Sequence, residues 1–160
     1  SDILSYAEKG ENEKILPLLA SLKTKIVKIE KNYNINFKVK LEKAIDKGEK
    51  EEIVKTIYAL VYYDMKDTFD TILDKITSTK PVSVSDLKNE LKYAYQNYLS
   101  VSPVLREMDF EGDKEVKRTI LVIFSKDLPK AVSSKDIKEL EKKFRFIENV
   151  YNKNLKVAAE

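Results

Sequence analysis

Apolar residues recur three and four positions apart along nearly the whole chain, in stripes that run for many helical turns. Ile15, Leu19, Leu22, Ile26, Ile29 and Tyr33 form a heptad seam. It predicts one long helix opening near Asn12, whose side chain can cap a free amide of the first turn. Pro17 fits that helix only because it falls in or near the first turn. Asn32-Tyr33-Asn34 breaks the pattern, and a shorter helix follows with Phe37, Leu41, Ala44 and Ile45 on one side. The next helix is the longest, from about Lys50 to Thr77. Its stripe is Ile53, Ile57, Val61, Met65, Phe69, Ile72 and Ile76, widened by Val54, Leu60 and Leu73.

Ser78, Thr79 and Pro81 end that helix, and Ser83 or Ser85 caps its successor. There Leu87, Leu91, Ala94, Tyr98, Val101, Leu105 and Met108 face one way. Pro103 is expected to kink this helix or end it early, because its ring clashes with a carbonyl one turn back. Asp113 is expected to cap a fifth helix that contains the longest apolar run, Ile120 to Phe124, and so should be the most enclosed. Pro129 limits it. Ser133 or Ser134 opens the last helix, with Ile137, Leu140, Phe144, Ile147, Tyr151 and Leu155 inward. Gly10, Gly48 and Gly112, the only three glycines, each fall where a helical pattern stops. No segment alternates with period two. The pattern therefore predicts an all-α fold: an antiparallel bundle of five or six helices with short loops and no sheet, forming a single domain over residues 1–160.

Composition narrows the function more than it defines it. Histidine and cysteine are absent, which removes the side chains that most often serve acid–base, nucleophilic and soft-metal chemistry. No disulfide can form. Apolar residues make up 42% of the chain, too many for an unfolded polyelectrolyte, yet no stretch approaches the ~20 apolar residues of a membrane span. Abundant Lys, Glu and Ile fit a heat-adapted source, and an AT-rich genome would favour several of the same residues. The sequence opens Ser1-Asp2 without an initiator methionine, consistent with a trimmed tag or a removed leader, and the reading leans to a place outside the cytoplasm.

Several clusters invite a chemical reading. The stretch Asp109 to Glu115 has the alternating carboxylates of a calcium loop. Its glycine, however, stands fourth instead of sixth, and Ile120 occupies the twelfth position, where a glutamate is needed. Asp67, Asp70 and Asp74 share one face near the end of the long helix, against the helix dipole, at a cost of about 0.3–1 kcal/mol each. They are either ligands for a hard metal or partners for the basic segments Lys23–Lys50 and Lys130–Lys156, with charge pairing or solvation preferred. Tyr58, Tyr62 and Tyr63 cluster on one helix, and Tyr93, Tyr95 and Tyr98 on the next. Tyr62 or Tyr63 with Tyr95 is a candidate ligand or partner surface. The terminal helix interleaves Lys and Arg with Phe144, Phe146 and Tyr151, an arrangement found in single-stranded nucleic-acid binders. Against that stand the seam positions of Phe144 and Tyr151 and a net charge of only +3.

The expectation from sequence is a non-enzymatic helical bundle acting through protein–protein contacts, as an accessory or adaptor domain. It carries no catalytic residues and no cofactor. Two alternatives stay open. One is a bundle that binds a small molecule or divalent metal through inter-helix carboxylates and tyrosines. The other is nucleic-acid binding by the basic C-terminal helix.

Overall fold

The longest apolar stripe becomes the centre of the molecule. In the computed structural model, which describes residues 2–158, helix α5 spans Lys50–Thr77 and packs against helices before and after it in the chain. Every residue of its expected stripe, Ile53 to Ile76, is buried. Before it come α1 (Asp2–Glu8), α2 (Ile15–Ser21), α3 (Lys23–Tyr33) and α4 (Phe37–Lys47). After it come α6 (Val84–Met108), α7 (Phe110–Val122), α8 (Leu128–Ser134) and α9 (Lys138–Leu155). The fold is all-α, with no strand among the described residues, and none of their helices is long and apolar enough to cross a membrane.

Side-chain pairs fix how the rods run. Phe37 meets Tyr63 at 5.7 Å between ring centroids, which makes α4 antiparallel to α5 across the turn at Gly48. Gly48 ends α4 at φ 64°, the left-handed region that glycine enters without a Cβ clash. Asn97 reaches Asp64, and Lys75 pairs with Glu90, so α6 is antiparallel to α5 as well. On α9, Phe144 stacks on Phe69 at 4.2 Å, and the Tyr151 hydroxyl donates to the Tyr58 carbonyl, again antiparallel. Helix α3 is the exception: Lys25, Lys28 and Tyr33 meet Asp64, Asp67 and Asp70 in order, so α3 runs parallel to α5.

Six expectations from the apolar pattern are corrected. The heptad seam from Ile15 is not one helix, because the chain breaks at Leu22, whose ψ of 12° separates α2 from α3. Ser21 contributes by turning its hydroxyl back onto the Leu18 carbonyl. Leu22 is exposed, and Asn12 lies in a short 3₁₀ turn instead of capping a helix. Pro103 does not end α6, which continues to Met108. Pro103 and Leu99, whose carbonyl loses its amide partner, are both on the solvent side, where water can take that partner's place. The run Ile120–Phe124 is not the most enclosed segment, since Leu121 is 65% exposed. Nor does Pro129 stop the chain. Residues 123–127 widen into a π turn and α8 follows at once, with Pro129 in its first turn, where no amide is needed. Ser134 ends α8 and does not open α9, and Asp136 instead accepts from the Lys138 amide.

Two expected starts deserve contrast. Ser83 does cap α6, accepting from the Asp86 amide at 3.3 Å. Asp113 does not cap α7, because Asp109 holds that position and accepts from the Gly112 amide at 2.9 Å. A Cβ at Gly112 would collide with the Asp109 carboxylate, so this glycine serves a helix start and not a helix end.

Leu91 lies fully buried between α6 and its neighbours. Leu91→Ala should destabilise the protein by about 2–5 kcal/mol, read from chemical denaturation. A loss below about 1 kcal/mol would contradict this packing.

Candidate functional site

Three aspartates one turn apart, Asp64, Asp67 and Asp70, form a ladder along the side of α5. Asp64 and Asp67 are buried, and burying a carboxylate without partners is costly, so each rung should be occupied. Asp64 lies 2.9 Å from Lys25 Nζ and accepts from the Tyr93 hydroxyl at 3.0 Å and from Asn97 at 2.8 Å. The same Lys25 ammonium sits 3.5 Å from the centroid of the Tyr93 ring. Asp67 accepts from Asn32 at 3.0 Å and pairs with Lys28 at 3.2 Å. Asp70 accepts from the Tyr33 hydroxyl at 2.8 Å and from Arg145 at 2.6 Å. The ladder thus joins α3, α6 and α9 to α5.

Of the three aspartates singled out from sequence, Asp67 and Asp70 are partnered within the chain and Asp74 is exposed. All three line one cleft of ≈ 540 Å³ beside Lys28, Lys75 and Tyr33. Among the described residues no group of three carboxylates is placed to hold a metal ion. Asp64 escaped the sequence reading because it falls between the core positions Val61 and Met65. The available signal was a lone acid inside an otherwise apolar run, three residues before Asp67.

The tyrosines divide differently from the sequence grouping. Tyr62 is buried against Tyr151, with ring centroids 5.4 Å apart, and burial pushes its phenol up to about 12. Tyr63 is half-buried in a cluster with Tyr33, Phe37 and Tyr62. Tyr95 is half-buried on α6, and no ring contact joins it to Tyr62 or Tyr63 among the described residues. Burial also raises Tyr33 and Tyr98, and each is raised further by the carboxylate its hydroxyl donates to, Asp70 and Asp113 respectively.

Three further buried acids, Asp113, Asp127 and Glu148, were missed as such. Asp113 accepts from the Tyr98 hydroxyl at 2.7 Å and the Ser102 hydroxyl at 2.8 Å, with Lys117 at 3.0 Å. Burial opposes its ionisation, but these three donors outweigh burial and hold it below the ordinary carboxylate value. Glu148 lies between Lys66, at 3.0 Å, and Arg145. There burial wins over both cations and the carboxyl is raised. On α9, Phe144 and Tyr151 are core residues, while Lys143 pairs with Asp127 and Arg145 with Asp70, so the basic and aromatic groups do not form one open surface.

A larger concavity lies elsewhere, in a trough of ≈ 690 Å³ between α4 and α5 with Val157 also on its lining. Lys40, Lys43, Lys47 and Lys55 line it, and none of them pairs with an acid within 4.0 Å among the described residues. Its floor includes Ala44, Ala59 and Tyr63, and Glu49 and Glu52 stand at the end near the α4–α5 turn. No protein-family description, curated protein or solved structure matches this chain.

Because the folded-state value of Asp113 is depressed, its contribution is present above the ordinary carboxylate value and is lost as pH falls through the folded one. Asp113→Asn should therefore cost about 1.5–3 kcal/mol near neutral pH. The gap to wild type should close as the solution is acidified below about pH 4, measured by denaturant unfolding across pH. A gap that stays constant into acid would remove the charged form from this account.

Proposed function

We propose that this chain is a non-enzymatic helical module acting through protein–protein contacts, its principal rods forming an antiparallel bundle of five or six with α3 as an added parallel member. The observation that carries this reading is the contrast between two sets of charges. The buried acids, Asp64, Asp67, Asp113, Asp127 and Glu148, have cationic partners within the chain and act in holding helices together, Asp113 through the Tyr98 and Ser102 hydroxyls of α6. The lysines around the α4–α5 trough have no such partners among the described residues and stand beside the apolar side chains of Ile35, Ala59, Tyr63 and Val157.

That contrast weighs against the rival readings. A metal would have to displace Lys28, Asn32, Tyr33 and Arg145 from Asp67 and Asp70. Nucleic acid on α9 would find its seam aromatics in the core and two of its cations engaged. Lysines that pair with no acid among the described residues, set around apolar side chains, can meet the acids of another chain by charge complementarity.

A benzophenone side chain installed at position 56, inside the trough, tests this in cells of the source organism. Irradiation should yield protein adducts of discrete mass, absent when the same group stands at the exposed position 126. No adduct from position 56, or the same adducts from both positions, would refute the contact reading.

A further inference from the structure

We infer that the α4–α5 trough receives an acidic amphipathic helix of a partner protein, an inference that rests on the contact reading above. Lys40, Lys43 and Lys47 stand at i, i+3 and i+7 on α4, within about 60° of one another around its axis. They span about 10.5 Å along it, at 1.5 Å per residue. A single small anion cannot neutralise cations spread over that length. A linear ligand with carboxylates at the same three- and four-residue spacing can, and an α-helix provides that spacing. Ala44 and Ala59 carry no bulk beyond Cβ, so the incoming rod can settle between α4 and α5. Tyr63, half-buried over Phe37 at one end of the trough, offers that rod an apolar stop together with Ile35 and Val157.

Polarity along the trough sets the orientation of charge. Glu49 and Glu52 occupy the end near Gly48, opposite the aromatic end, with Lys47 and Lys55 beside them. The ligand's acids therefore belong along the α4 edge, and its residue nearest Glu49 and Glu52 is neutral or basic. A nucleic-acid backbone fits less well, since its phosphates would meet those two glutamates and leave the apolar floor uncovered.

The test uses a fluorescein-labelled synthetic helix of about 14 residues, with glutamates on one edge at three- and four-residue spacing and leucines on the adjoining face. Two controls accompany it, a scrambled peptide of identical composition and a single-stranded oligonucleotide. Fluorescence anisotropy on the full chain should show saturable binding of the patterned helix, weakening with added salt, and no comparable binding of either control. In the double variant Lys40→Glu, Lys43→Glu, affinity should fall at least about tenfold, with helical circular dichroism unchanged. Both substitutions are at exposed positions of α4, so folding is not at stake. Equal binding of the scrambled peptide or the oligonucleotide would overturn the inference in favour of generic polyanion attraction. Absence of binding, or binding indifferent to the charge reversal, would overturn it too. If photocrosslinks from position 56 persist while the acidic helix fails, only the nature of the occupant is refuted. If those crosslinks are also missing, the contact reading falls with it.

Discussion

A carboxylate cannot leave water alone, and α5 takes two of them, Asp64 and Asp67, into the interior. Once those acids are placed there, the neighbouring helices have to present donors at matching heights. Helix α3 supplies Lys25, Lys28 and Asn32, and α6 supplies Tyr93 and Asn97; the half-buried Asp70 one turn on takes Tyr33 from α3 and Arg145 from α9. The apolar stripe of α5 is indifferent to small slips of a partner rod, because methyl groups pack in many registers. The acidic ladder is less so, since a one-turn shift of α3 would either take Lys25 from the buried Asp64 or set it against the apolar Val61. Register in this fold is thus set by polar pairs and cohesion by the apolar core.

Much of the architecture could be read from periodicity. The bounds of α5, its buried face and the Ser83 cap of α6 follow from a seam sustained over many turns, where local preference and packing agree. Periodicity misled where the same spacing continued across a break. Leu22 keeps the heptad count but lies exposed at the joint between α2 and α3, because α3 must turn to lie along the ladder. It also misled at Ile120–Phe124, where an apolar run was equated with enclosure although Leu121 faces solvent.

The candidate site was half legible. The shared face of Asp67, Asp70 and Asp74 was visible, but not that two rungs had partners and the third did not. That depends on which helix lies alongside, and it is α3, two helices earlier in the chain, whose seat beside α5 the spacing of apolar residues does not announce. Asp113 looked like a cap because caps and buried acids use the same residue type next to a helix start. Only its distance from Tyr98 and Ser102 separates the two roles. The lysines of α4 were seen as an excess of charge in Lys23–Lys50, without a sign of the trough they border.

The parallel seat of α3 has a consequence for how the molecule responds to its medium. Ile26 and Ile29 are its only buried side chains, Tyr33 packs on Tyr63, and the rest of its attachment is ionic and hydrogen-bonded through cations that are partly exposed. Mobile ions screen such attachments and leave apolar packing almost untouched. Helix α3 accordingly has a grip that weakens in brine at its exposed Lys28 more than α5, α6 and α9 weaken about their aromatic centre.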